Sequence, residues 1–83
     1  MREQPDPALA TLIRRRREER NTTQEQLAFD AGITSSSLSR IERGRSNPSW
    51  TTVRRLAAAL GLSLSELVTD VERESPLSSG VHD

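Results

Sequence analysis

Residues 23–44 read TQEQLAFDAGITSSSLSRIERG, and the fold turns on how they are read. Thr23 with Gln26 three positions later is a capping-box pattern, and it opens a short helix over about 24–31. Leu27, Ala28 and Ala31 fall on one face of that helix. Gly32 ends it, because glycine takes the left-handed conformation at a helix C-terminus without a Cβ clash. Ile33 follows, and Thr34 caps a second helix over about 35–43 that carries Leu38 and Ile41 inward. Gly44 stops it. Two short helices joined by a tight glycine turn form a helix-turn-helix. Ala28 supplies the small side chain a close crossing needs, and Gly32 supplies the positive φ. Leu27, Ala31, Ile33, Leu38 and Ile41 supply the apolar contacts that fix the angle. The competing reading is an ordinary corner between two helices of a bundle. Seven matched positions with a cap at each helix start favour the helix-turn-helix.

The flanks extend the helical pattern in both directions. Before the motif, Pro7 suits the first turn of a helix over about 7–20, and Leu9, Leu12 and Ile13 form its apolar stripe. That stripe runs on into Arg16, Arg17 and Arg20, and a core-facing arginine needs a partner because an unpaired buried charge is costly. After the motif, RSNPS (45–49) is a loop by its Asn, Pro and Ser content. Ser49 caps a fourth helix over about 50–60, with Trp50, Val53, Leu56, Ala57 and Leu60 facing the core. Gly61 ends it. Ser63 with Glu66 is a second capping box, opening a fifth helix over about 64–70 with Leu64, Leu67 and Val68. The organisation read here is a flexible N-terminus (1–6), an all-α five-helix domain (7–70) and a disordered acidic tail (71–83), which lacks apolar periodicity.

Composition narrows the function. Eighty-three residues make one domain. There is no cysteine, hence neither a disulfide framework nor a Cys-based zinc site. No apolar run is long enough to span a membrane, and MREQPDPALA lacks the apolar centre of a signal peptide. A cytoplasmic protein is the expectation. An enzyme is not expected: the one histidine, His82, lies in the tail, so no serine has a positioned base, and Glu18 and Glu19, adjacent on a helix, face apart. No cofactor or metal is expected. The net charge is zero but unevenly spread. Residues 8–55 hold ten arginines against five acids, a net of +5, and residues 56–83 carry a net of −4. A basic body with an acidic tail suits a nucleic-acid partner, though a solvated surface produces the same sum.

The run from TQEQLA through SRIERGRSNPS to LAAALGLSLSEL resembles the Cro/C1-type, or XRE-like, helix-turn-helix regulators over residues 9–68. The resemblance implies a compact five-helix, lambda-repressor-like DNA-binding domain and a homodimeric transcription regulator, a repressor in many members. Members of this size include restriction–modification controller proteins and antitoxins. It also implies a partner for Arg17, the acid at Glu42, against the alternative that Arg17 snorkels to water. Three positions depart from the family pattern: Arg16 stands where a leucine is common, Asn21 where glycine is usual, and Thr22 where an apolar residue is common. Together they point to a thinner core near residues 16–22.

In such a domain the second helix of the motif enters the major groove of double-stranded DNA. With Leu38 and Ile41 inward, Ser35, Ser36, Ser37, Ser39 and Arg40 are the candidate base contacts. Arg40 suits guanine O6 and N7. The serines are weak discriminators, and N-terminal capping is their bland alternative. Gln24, Arg43, Arg45, Asn47 and Arg14 are candidate phosphate contacts, Gln24 on the strength of the resemblance. A twofold dimer would read an inverted-repeat operator. Trp50 is read as core, with the fifth helix shared between core and dimer interface. The rival reading is an antitoxin or other interaction module whose acidic segment 70–74 binds an unidentified protein partner.

Overall fold

The computed structural model describes residues 5–74 of the chain. Five helices run through them: α1 (Pro7–Glu19), α2 (Gln24–Ala31), α3 (Ser35–Glu42), α4 (Trp50–Ala59) and α5 (Leu64–Glu74), with no strand among the described residues. The expectations for residues 1–4 and 75–83, His82 included, lie outside the described residues.

Short polar side chains start the helices. Asp6 Oδ1 accepts from the backbone N–H of Ala8 at 2.9 Å, so this residue, read as part of a flexible arm, caps α1. Thr23 Oγ1 accepts from Gln26 N at 3.1 Å, and Ser49 Oγ from Thr52 N at 3.1 Å. Only the Ser63–Glu66 box is made in both directions, Ser63 N donating to Glu66 at 2.8 Å and Glu66 N to Ser63 Oγ at 3.0 Å. The Thr23–Gln26 box is half-made, because the Gln26 amide donates to Asp30, one turn on, at 3.0 Å.

The ends of α1 to α4 share one device. Past α2, Ile33 N donates to Ala28 O at 2.9 Å and Gly32 N to Phe29 O at 3.1 Å, with Gly32 at φ 74°. These paired bonds satisfy carbonyls that a helix end leaves open. The same pair closes α1, where Asn21 sits at φ 54° in the place of a glycine.

Packing follows the apolar stripes. Ile13, Leu27, Ala28, Ala31, Leu38, Ile41, Leu56 and Leu60 form one buried cluster that locks α2 and α3 onto α1 and α4. Leu12, Val53, Ala57 and Leu67 form a second, which seats α5 on α1 and α4. Fully burying one such leucine is worth about 1.5–3 kcal/mol, so α3 is anchored mainly by Leu38 and Ile41.

Two expectations are corrected. The fifth helix does not stop at residue 70 but continues to Glu74. Val71 extends its apolar stripe onto the second cluster, and Arg16 and Arg15 of α1 pair with Asp70 and Glu74. The tail read as disordered therefore begins with a helical turn. Trp50 is not core: it lies on the α4 stripe but is 59% exposed. It stands in the first turn of α4, against a cleft whose facing residues include the exposed Val68.

Candidate nucleic-acid interface

Thr34 sets the start of α3, its Oγ1 accepting from Ser37 N at 3.0 Å. The N-capping alternative for the serine run therefore belongs to Thr34. Leu38 and Ile41 are buried beneath the helix. Ser35, Ser36 and Arg40 are exposed on the opposite side, and Ser37 and Ser39 are half-buried at its margins. Arg43 and Arg45 are exposed just beyond the helix. Asn47 is exposed in the loop that leads to α4. Arg14 is exposed on α1.

The arginines of the expected site and those beside them on α1 fall into two sets. Arg15, Arg16 and Arg17 each pair with carboxylates. Arg14, Arg40, Arg43 and Arg45 have no carboxylate within 4 Å among the described residues. Internal pairing thus compensates Arg15, Arg16 and Arg17 and leaves Arg40, Arg43 and Arg45 uncompensated on and just beyond α3.

Beneath α3 lies one buried charged group. The Glu42 side chain is 2% exposed. Its Oε2 accepts from Arg17 Nε at 2.8 Å, and its Oε1 from Arg17 Nη2 at 3.0 Å. Arg17 Nη1 donates to the carbonyl of Thr22 at 2.9 Å. Bonding to Glu42 raises the Arg17 pKa above its already high ordinary value, outweighing the opposing effect of burial. This geometry joins α1 to the C-terminal turn of α3, and the pair lies beneath the exposed face of α3, not on it. One connection had no signal in the sequence. Gln24 Nε2 donates to Glu42 Oε1 at 2.9 Å, so the side chain expected at a phosphate is tied to the buried carboxylate. Gln24 itself is half-buried, at the first position of α2.

Arg16, the departure from a leucine, is accommodated by Asp70 and Glu19. Its Nε is buried without a partner, so the replacement is not fully compensated. Among the described residues no cluster of His, Cys, Asp or Glu is arranged to hold a metal. No helix there is long and apolar enough to cross a membrane.

A glycine-turned helix pair, with an apolar underside and a serine–arginine outer face on its second helix, defines a helix-turn-helix DNA-binding domain. A family model described as helix-turn-helix matches residues 13–67. The chain belongs to that family, the Cro/C1-type transcription regulators, which are DNA-binding proteins and not enzymes. It is 43% identical over 65 residues to the uncharacterized HTH-type transcriptional regulator y4dJ of Sinorhizobium fredii, covering 78% of this chain and 83% of that one. The restriction–modification controller protein C.AhdI from Aeromonas hydrophila superposes with a TM-score of 0.70 at 33% identity, over 74% of this chain and 92% of that one. The biofilm master regulator SinR, solved in complex with DNA, gives a TM-score of 0.67 at 33% identity, over 72% of this chain and 97% of that one.

Proposed function

We propose that the protein is a homodimeric, sequence-specific transcription regulator acting in the cytoplasm, which lays α3 in the major groove of an inverted-repeat operator. The single observation that carries this reading is Arg40. It is exposed on the outer face of α3, unpaired among the described residues, on a helix whose other face is anchored by Leu38 and Ile41. Arg40 reads guanine through O6 and N7, a contact worth about 1–3 kcal/mol of discrimination. Ser35, Ser36, Ser37 and Ser39 keep the helix low in the groove and meet base edges, phosphates or bridging waters. Arg14, Arg43 and Arg45, with Gln24 and Asn47, hold the backbone on either side. Relatives named as transcription regulators, and a structural neighbour solved with DNA, support the same reading.

Two copies related by a twofold axis would set their reading helices on half-sites about 10–11 base pairs apart. The exposed Trp50 and Val68 are the surface we assign to that pairing. The rival reading, an acidic segment at 70–74 free to bind another protein, loses support from the α1–α5 ion pairs, which already engage Asp70 and Glu74.

Selection of bound sequences from random DNA tests the proposal. The unaltered protein should enrich an inverted repeat, and Arg40→Ala should relax one guanine position in each half-site. Enrichment of no sequence would overturn the reading. Affinity should also fall steeply with salt, because phosphate contacts release counterions; a flat response would point to a protein partner.

A further inference from the structure

We propose that Glu42 is a positioning residue for DNA binding: its carboxylate holds the Gln24 amide ready to donate to the DNA backbone. The Arg17–Glu42 pair thereby sets the strength of a phosphate contact that neither residue makes. This rests on the DNA-binding reading above.

The chemistry of the two side chains fixes the orientation. An ionised carboxylate only accepts hydrogen bonds, so the amide must turn its NH2 toward Glu42 and cannot turn its oxygen there. Nε2 carries two protons, and the bond to Glu42 Oε1 at 2.9 Å uses one. The second remains a donor, the polarity a phosphate requires. Nor is Gln24 needed to satisfy Glu42, since the bidentate Arg17 already gives each oxygen a donor. What the third bond adds is a fixed Gln24. A free glutamine side chain loses conformational freedom when it is ordered, and ordering it before DNA arrives removes that cost from binding. Glu42 sits at the end of α3 and Gln24 at the start of α2. The bond therefore joins the end of the motif opposite the Gly32 turn, and keeps Gln24 in register with the reading helix.

The test measures affinity across a salt series on the operator enriched by the unaltered protein, for the unaltered chain, Gln24→Ala, Glu42→Gln and the double variant. Gln24→Ala should weaken binding roughly three- to tenfold, the scale of one hydrogen bond, and leave the salt slope unchanged, because a neutral amide displaces no counterion. Glu42→Gln should lose the same affinity without touching DNA, and the double variant should be no worse than either single one. The sign is diagnostic. Removing a negative charge near DNA would by itself tighten binding and steepen its salt dependence. A merely structural defect would lower the folded fraction and add its loss to that of Gln24→Ala. Unchanged or tighter binding in Glu42→Gln, or losses that multiply in the double variant, overturns the positioning role.

Should Glu42→Gln not fold, solvent exchange of the Gln24 side-chain amide protons in the unaltered protein decides. Exchange should slow further when operator DNA binds, and an unchanged rate overturns the inference. If the unaltered chain enriches no DNA at all, the failure lies with the DNA-binding reading itself.

Discussion

At Glu42 a single carboxylate is removed from water and compensated by donors from two helices. Deleting one member of a buried pair leaves the other charge stranded, typically a loss of about 3–5 kcal/mol. Urea melts of Glu42→Ala should therefore show a destabilisation at that scale. Arg17→Ala should approach it, and Gln24→Ala should fall well short, since Arg17 alone satisfies the carboxylate. Changes below about 0.5 kcal/mol in both Arg17→Ala and Glu42→Ala would mean surface residues and no buried pair. Asn21 is a second residue whose chemistry is local. Its positive φ of 54° suits Asn and Gly and penalises branched side chains. Asn21→Gly should keep or raise stability, whereas Asn21→Val should cost about 1–2 kcal/mol; a matched pair of thermal melts checks the contrast. Asn21 and the caps at Thr23, Thr34, Ser49 and Ser63 were legible in the sequence because their causes lie within a few residues. The outward face of α3 was legible for a related reason. Burial of Leu38 and Ile41 at helical spacing leaves Ser35, Ser36 and Arg40 nowhere to point but outward. The Gln24–Glu42 bond was not legible, since its partners stand 18 residues apart with no periodicity to link them.

The helices differ in what fixes their lengths. Those of α2 and α3 are set by a cap in front and a glycine behind, and the chain predicts them to within a residue. The end of α5 depends on distant residues. Its last turn is held by Val71 on the second cluster and by ion pairs from Asp70 to Arg16 and Glu74 to Arg15, 54 and 59 positions apart. A reading confined to local pattern ends the helix too soon, because ERE at 72–74 resembles a solvated tail. Val71, one turn beyond Leu67, was the available signal. Trp50 shows the opposite error: its spacing to Val53 matches the buried stripe, yet the first turn of α4 lies at the margin of the core. Surface ion pairs contribute about 0.2–1 kcal/mol each and weaken with salt. In hydrogen-exchange measurements, Arg15→Ala combined with Arg16→Ala should release the amides of residues 71–74 while leaving α2 and α3 protected. Raising the salt concentration should reproduce part of that effect. Unchanged protection at 71–74 would show that Val71 alone holds the turn.

Across the whole molecule, the two aromatic residues both lie at the surface: Phe29 is 80% exposed and Trp50 59%. The core is built from Leu, Ile, Val and Ala. A tryptophan with an apolar body gains most when an interface covers it, and tryptophan is enriched among residues that dominate binding energy. Trp50 is also the residue with neighbours of the same kind. It lines an apolar cleft of about 180 Å³ with Leu9, Val53, Leu67, Val68 and Val71, and a second, more open one with Leu64 and Val68. Phe29 lines neither cleft. The surface assigned to dimerisation therefore makes a prediction that separates it from the rest of the protein. Trp50→Ser and Val68→Glu should give monomers in sedimentation equilibrium at concentrations where the unaltered chain is dimeric. Their far-UV circular dichroism should be unchanged, because neither residue supports the core. Loss of a central aromatic anchor commonly costs 2 kcal/mol or more, a dimer at least about thirtyfold weaker. On the operator, these variants should keep the half-site preference set by Arg40 and lose the preference for two half-sites at a fixed spacing. Phe29→Ser is the control and should leave assembly and spacing as they were. Dimers that persist in both Trp50→Ser and Val68→Glu would place the twofold contact on another face. Spacing preference lost together with half-site preference would mean that the substitutions had disturbed α3 itself.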